Sequence, residues 1–116
     1  MTTILYRPVN QKELDLIEQS GWKKFPPRFV TQPIFYPVTN EEYAIQIARD
    51  WNVNAYGAGF VTSFAMSSEY LKKFEIHNVG GKLHNELWVP ASELDEFNSN
   101  IVGLIEVTKS FYSQDN

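Results

Sequence analysis

The chain has 116 residues, 43% of them hydrophobic, which suits one domain with one core and leaves no room for a second. Ten Lys and Arg against fourteen Asp and Glu give a net charge of -4 without a polybasic run, which argues against nucleic-acid binding driven by bulk charge. The absence of Cys and the presence of only 2 His exclude thiolate zinc sites, Cys nucleophiles, iron–sulfur clusters and a three-His metal centre.

The chain shows no sign of a membrane partner or of a secretory leader. No apolar run approaches the length of a membrane span, and the N-terminus lacks a charged segment followed by an apolar one. We therefore expect a cytoplasmic protein.

The N-terminal part predicts a strand followed by a helix. Ile4 to Arg7 is β-prone, and we expect this strand to stop at Pro8. Asn10 with Glu13 three residues later is typical of a helix start, and Gly21 suits a C-terminal cap. The spacing predicts a helix over about 11–20.

The middle of the chain predicts an extended segment, a short strand and a second helix. Three prolines favour a loop from Trp22 to Gln32, in which Phe25 to Thr31 would line or cover a cleft. Ile34 to Tyr36 reads as a strand, and Thr39 to Glu42 as a capping box. The helix after it should run to Trp51, with a buried stripe made of Tyr43, Ile47 and Trp51.

The remaining pattern completes an α+β domain over residues 1–112, because strands and helices lack the regular alternation of a doubly wound sheet. In chain order it predicts a turn over 52–59, a strand over 60–66, a short helix with Tyr70, Leu71 and Phe74, a turn at Gly80-Gly81, a strand over 85–89, a helix over 91–98 and a last strand from Leu104 to Tyr112. Residues 113–116 should form a frayed tail.

Generic catalytic motifs are missing, so the candidates are polar residues on apolar strands. Glu86 alternates with His84 and Trp88 on one face of its strand, where it would serve as a base or accept substrate hydroxyls; the alternative is an edge-strand charge or a partner of Lys. Arg7 would grip a phosphate or carboxylate, or simply end a strand in solvent. Tyr36 would stack on a flat ring, or pack in the core.

The ordered segments Leu5-Tyr6-Arg7, Ile34 to Thr39, Tyr43 to Ala48 and Glu86 to Pro90 resemble the ADP-ribosyltransferase superfamily. The chain also resembles small bacterial proteins labelled "ADP-ribosylation/crystallin J1" over nearly its whole length. The resemblance implies a split two-sheet core with short flanking helices that binds NAD in a cleft. It implies no metal cofactor, because cleavage of the nicotinamide–ribose bond needs positioning and a nearby carboxylate.

By this resemblance the catalytic residues are Arg7, Tyr36 and Glu86. Arg7 would orient NAD, Tyr36 would stack on nicotinamide, and Glu86 would bind the ribose hydroxyl or activate the acceptor. The middle motif is filled either by Tyr36 or by Val61-Thr62-Ser63. The further NAD-binding residues implied are Tyr6, Thr39, Thr62 and Ser63.

The expected activity is transfer of ADP-ribose to an unknown acceptor or hydrolysis of NAD. An alternative is a non-catalytic domain of the same fold that binds a nucleotide-like ligand or a protein partner through the aromatic stretch Trp22 to Tyr36. A third is an accessory protein of a phage or mobile element.

Overall fold

The computed structural model describes residues 1–28, 31–81 and 84–113, which form an α+β fold. Its strands are β1 (Thr2–Val9), β2 (Ile34–Phe35), β3 (Ala58–Ser67), β4 (Ile76–Asn78), β5 (Asn85–Leu87), β6 (Val89–Pro90) and β7 (Ile101–Tyr112). Its α-helices are α1 (Gln11–Gln19), α2 (Glu41–Gln46), α3 (Val53–Tyr56), α4 (Ser68–Leu71) and α5 (Leu94–Ser99). A π-helical turn (Ile47–Asn52) joins α2 to α3, and a 3-10 turn (Ala91–Glu93) precedes α5.

The three long strands form an antiparallel sheet in the order β1-β3-β7. Two smaller antiparallel pairs are formed by β2 with β6 and by β4 with β5. Val38 links the long sheet to the β4–β5 pair, because it forms one bridge with Tyr6 and another with Glu86. This one-residue connection brings Glu86 to the same side of the molecule as the end of β1.

The first strand is longer than predicted, and the expectation that it stops at Pro8 is wrong. Pro8 lies opposite Val61 within the paired part of β1. The amide of Tyr6 donates to Val38, on the side away from β3, and Pro8 lies two residues further along the same strand. The missing N–H of Pro8 therefore faces away from β3, and no hydrogen bond of that ladder is lost.

The first helix confirms its prediction in detail. Asn10 accepts a hydrogen bond from the backbone amide of Glu13 at 2.8 Å, which caps α1. At its end Gly21 has a φ of 80°, and the amides of Gly21 and Trp22 donate to the carbonyls of Glu18 and Ile17. These two bonds form a Schellman motif.

The second helical segment corrects two predictions. It continues beyond Trp51 through the π-helical turn and α3 to Gly57, so most of the turn expected over 52–59 is helical. The predicted buried stripe is also wrong, since Trp51 is 60% exposed, whereas Ala44 and Ala48 are fully buried. A side chain at Gly59 would overlap the carbonyl oxygen of Ala48, so the helix and β3 meet through their smallest residues.

The remaining expectations are confirmed in part. The strand over 60–66 extends to Ala58–Ser67, and the last strand begins earlier, at Ile101. The strand over 85–89 is divided into β5 and β6, and β4 was not predicted. Residues 29–30 of the expected loop and 114–116 of the expected tail lie outside the described residues. None of the described helices combines the length and apolar character that crossing a membrane requires.

The main core lies on one face of the long sheet. Its largest members are four buried phenylalanines, Phe25, Phe35, Phe64 and Phe97, whose rings contact one another at centroid distances of 4.9 to 6.1 Å. A smaller cluster of Val38, Ala44, Ala48 and Val61 lies under α2 on the other face. Phe25 therefore belongs to the core rather than to the surface of the loop that carries it.

Candidate functional site

Two adjacent cavities open where β1 ends against the π-helical turn. One has a volume of about 400 Å³ and is lined by Glu86; we call it the Glu86 cavity. The other has a volume of about 360 Å³ and is lined by Arg28; we call it the Arg28 cavity. They share four lining residues, Arg7, Pro8, Trp51 and Asn52. Both volumes fall within the usual range of small-molecule sites, and the shared residues place the two cavities side by side; we call the two together the cleft.

The Glu86 cavity brings together the three residues predicted to be catalytic. Arg7, Tyr36 and Glu86 all line it, although they come from β1, from the residue after β2 and from β5. The two polar residues are buried, with Arg7 at 8% and Glu86 at 9% exposure, while the aromatic walls Tyr36 and Trp88 are more than 40% exposed. Buried charged groups and exposed rings at one cavity are the reverse of a structural core, and this combination suits recognition of a flat, polar ligand.

Both oxygens of the Glu86 carboxylate are held by aromatic side chains. The Tyr43 hydroxyl donates to Oε2 at 3.1 Å, and the Trp88 indole N–H donates to Oε1 at 2.8 Å. An ionised carboxylate offers about four acceptor positions, so two remain for hydroxyl groups of a ligand. The arrangement fixes the carboxylate without filling its capacity.

Each of these two aromatic donors is itself stacked on a histidine. His77 lies parallel to Trp88 at a centroid distance of 3.8 Å, and His84 stacks on Tyr43 at 4.4 Å. His84 also forms a hydrogen bond with Gln46 through Nε2 at 3.0 Å. The two histidines therefore orient the rings that hold Glu86. Alternation in the sequence predicted that His84 lies on the same face as Glu86, and this packing gives the structural reason.

The environment of Glu86 keeps Tyr43 protonated. Burial is the first cause, and the adjacent negative charge and hydrogen bond of Glu86 add to it, raising the pKa of Tyr43 to about 12. The phenol, which is protonated at neutral pH even at its ordinary pKa of 10.0, therefore keeps its donor hydrogen to higher pH as well.

Arg7 is positioned by a carboxylate and a ring. Its Nε and Nη2 donate to the two carboxylate oxygens of Glu13 at 2.6 and 2.9 Å, and its guanidinium lies 4.5 Å from the centroid of Phe35. Two of its donor groups are thus engaged within the protein, which restricts the contacts that it can offer to a ligand. The sequence signal for this ion pair was Glu13, an acidic residue in the first turn of α1 that follows Arg7 by six residues.

The other residues implied by the resemblance do not line either cavity. Thr62 is completely buried, and its hydroxyl donates to the carbonyl of Arg7 at 2.8 Å, which joins β3 to β1. Tyr6 packs on the smaller hydrophobic cluster, and Ser63 lies opposite it on β3. The amide of Thr39 donates to the carbonyl of Asn85, while Asn40 caps α2. Of the two segments proposed for the middle motif, only Tyr36 borders the cleft.

The sequence reasoning missed one cleft residue, Asn52, and expected another, Arg28, only as part of a longer segment. Asn52 was assigned to a turn, yet it is helical, 6% exposed and borders both cavities. Arg28 borders the Arg28 cavity together with Pro26 and Pro27, which agrees with the expectation that this segment lines a cleft. The sequence signal for Arg28 was the double proline before it, because Pro26-Pro27 holds the chain extended beside the end of β1.

Within the described ranges, no cluster of three His, Asp or Glu side chains is arranged to hold a metal ion. Comparison of the chain with family models, with curated proteins and with solved structures finds no match. Functional inference therefore depends on the chemistry of the cleft.

Proposed function

We propose that the chain binds NAD in the cleft and cleaves its nicotinamide–ribose bond, with transfer of ADP-ribose to an acceptor or to water. The observation that carries the proposal is the meeting of Arg7, Tyr36 and Glu86 at one cavity, from three separate parts of the chain. The proposal also assigns the domain to the ADP-ribosyltransferase-like split two-sheet fold, and the narrow connection through Val38 between β1 and β5 supports it.

The chemistry required by this reaction matches the groups around Glu86. The nicotinamide nitrogen is cationic in NAD, so it leaves with the bonding electron pair as a neutral ring and needs no proton. Positive charge then develops on the ribose, and a fixed carboxylate next to it stabilises the transition state. Glu86 is held by Tyr43 and Trp88 and keeps acceptor positions for a ribose hydroxyl. Water or the acceptor then attacks the same carbon and loses a proton.

The aromatic walls supply the binding surface for the leaving ring. Tyr36 and Trp88 contact each other edge to face with centroids 6.4 Å apart, and both remain partly open to solvent. A flat nicotinamide gains dispersion and apolar contact against such rings, and its positive charge is favoured by their π faces. No metal or further cofactor enters this reaction.

A second candidate is a non-catalytic domain that binds a nucleotide-like ligand. It is favoured by the Arg7–Glu13 pair, which engages two donor groups of the arginine inside the protein. The two candidates share the cleft and differ in whether the ligand is cleaved.

The test follows nicotinamide release by proton NMR with wild-type protein, Glu86→Gln and the control Glu106→Gln. Glu106 is an exposed residue on β7 and lies outside both cavities. We expect the Glu86 substitution to slow release by about a hundredfold, as is typical of removing one such stabilising group, and the control to leave it unchanged. Equal release by the two variants would contradict the role of Glu86.

Absence of cleavage is informative when binding is measured in the same samples. NAD resonances that broaden without release of nicotinamide would favour the non-catalytic candidate. Absence of both broadening and release would overturn NAD binding.

A further inference from the structure

The Arg28 cavity carries an excess of positive charge in a protein of net charge -4. Its charged lining residues are Arg7, Lys12 and Arg28 against a single carboxylate, Glu13. The N-terminal end of α1, which has 9 residues, also borders this cavity through Asn10 and Lys12. The partial positive charge of a helix N-terminus adds to that of the side chains.

Arg7 and Glu13 neutralise each other, so the remaining charge depends on other residues. Their side chains are only 10% and 16% exposed, and they form a bidentate pair. Of the two other cations, Lys12 is exposed, whereas Arg28 is partly buried at the cavity.

The guanidinium of Arg28 forms no direct ion pair in the part of the chain that the structure describes, and the nearby Glu13 carboxylate, which favours its charge, is already paired with Arg7. Its Nε is buried without a hydrogen-bond acceptor, and the nearest aromatic ring, Phe35, lies 5.9 Å away. Burial, followed by the positive charge of Arg7, lowers the pKa of Arg28, so the surroundings disfavour its charge. A buried donor without a partner costs free energy, and a bound anion would remove that cost.

Asn52 is a second and independent observation at the same place. It is 94% buried, since its exposure is 6%, and its side-chain amide takes part in none of the hydrogen bonds between described residues. Its side chain borders the Arg28 cavity as well as the Glu86 cavity. Its amide atoms are not sealed from solvent, so they are reachable from the cavities and can form hydrogen bonds with a ligand there.

We propose that the Arg28 cavity is a phosphate subsite in which Arg28 and Asn52 bind the diphosphate of the nucleotide whose nicotinamide end occupies the Glu86 cavity. The assignment of the nucleotide rests on the proposed function. Arg28 supplies a planar fork that matches two phosphate oxygens, and Asn52 donates from the boundary between the cavities. The four residues that line both cavities would then lie beside the part of the ligand that joins the diphosphate to the ring.

The experiment measures dissociation constants by NMR titration of the Trp51 indole signal, since Trp51 borders both cavities. The probes are inorganic pyrophosphate, nicotinamide riboside, which lacks phosphate, and NAD. The proteins are wild type, Arg28→Gln, Arg28→Lys and the control Arg49→Gln. Arg49 is exposed, pairs with Asp50 and does not line either cavity, so its substitution removes the same charge elsewhere.

We expect Arg28→Gln to weaken pyrophosphate and NAD binding by roughly tenfold or more, which is the loss of one charge-assisted hydrogen bond. Arg28→Lys should give an intermediate loss because it keeps the charge without the fork. Arg49→Gln should change each constant by less than about twofold, and nicotinamide riboside should bind wild type and Arg28→Gln equally.

The outcomes separate this subsite from the proposed function. NAD and nicotinamide riboside binding that persists with unchanged affinity in Arg28→Gln would overturn the subsite and leave the proposed function standing. Pyrophosphate binding that depends on Arg28, with no response to NAD or nicotinamide riboside, would support a site for free phosphate groups and overturn the nucleotide assignment. An equal loss in Arg49→Gln would reduce the effect to general charge and would also overturn the subsite.

Discussion

The core face of the long sheet and the cleft at the end of β1 both contain aromatic residues, but these residues are buried in the core and exposed at the cleft. In the core, Phe35, Phe64 and Phe97 are at most 2% exposed. At the cleft, Trp51 and Trp88 are 60% and 44% exposed, while Arg7 and Asn52 are below 9%. Aromatic rings therefore stabilise the fold in the first region and remain open to a partner in the second.

The difference shows how a small domain separates stability from binding. Burial of apolar surface supplies most of the stabilisation, so the exposed rings of the cleft contribute little to it. Buried polar groups cost stability unless they are satisfied, and at the cleft Glu13 pairs with Arg7 while Tyr43 and Trp88 hold Glu86. Substitutions that reduce ring size in the two regions should separate these effects.

The largest effect is expected for Phe97→Ala. Phe97 is fully buried and contacts the rings of Phe35, Phe64, Tyr70 and Phe74. Its truncation should lower the free energy of unfolding by about 3 to 5 kcal/mol, as core Phe to Ala changes do. Urea denaturation measures the change, and Trp51→Ala at the cleft is the control, with an expected loss below about 1 kcal/mol. Equal losses would contradict the division between core and cleft.

The junction between the two regions is tested by Gly59→Ala. The added methyl group would overlap the carbonyl oxygen of Ala48 and come within 2.9 Å of Cβ of Asn52. We expect a loss of about 2 to 3 kcal/mol, because backbone atoms must move to relieve the contact. Thermal unfolding measures it, with the half-buried Ser63→Ala on the same strand as the control. A Gly59→Ala protein as stable as wild type would show that the π-helical turn and β3 are not tightly packed at this position.

The charged pair at the cleft should behave as a unit. Arg7→Gln or Glu13→Gln alone should cost about 2 kcal/mol, since each leaves a mostly buried charge without its partner. The double substitution should cost less than the sum of the two singles. A double-mutant cycle of denaturation free energies measures this coupling, and strict additivity would show that the pair contributes nothing.

The smallest effect concerns Tyr43 at alkaline pH. Its pKa is raised to about 12, so the folded state keeps a proton that the unfolded state loses near its ordinary pKa of 10.0. Stability from this group is therefore fully present below about pH 10 and is lost as the pH rises toward 12. Ultraviolet absorbance titration follows the phenol, and Glu86→Gln should lower its pKa because the negative charge is removed and any remaining hydrogen bond is made to a neutral amide. Burial, the first cause, remains.

Local sequence patterns correctly predicted those elements whose hydrogen bonds are made between residues close together in the chain. Asn10 and Gly21 marked both ends of α1 because capping bonds are made within a few residues. The α+β class and Glu86 on a strand also followed from local patterning. Alternation on that strand put Glu86 beside His84 and Trp88, and the structure explains the grouping by stacking and hydrogen bonds.

Features that depend on distant residues were not predictable in the same way. The burial of Ala44 and Ala48 instead of Trp51 follows from the close approach of Gly59, which the helix pattern does not contain. The extension of β1 through Pro8 depends on which of its edges pairs with β3. Arg28 and Asn52 became candidates only when the fold brought them to one cavity.

The most direct test of the cleft uses the 3 tryptophans as reporters during an NAD titration. Trp51 and Trp88 border the Glu86 cavity, whereas Trp22 packs against the main core. In nitrogen-15 NMR spectra we expect the indole signals of Trp51 and Trp88 to shift with increasing NAD and that of Trp22 to stay in place. A shift of Trp22 alone, or no shift of any indole at saturating NAD, would contradict the binding of NAD in this cleft.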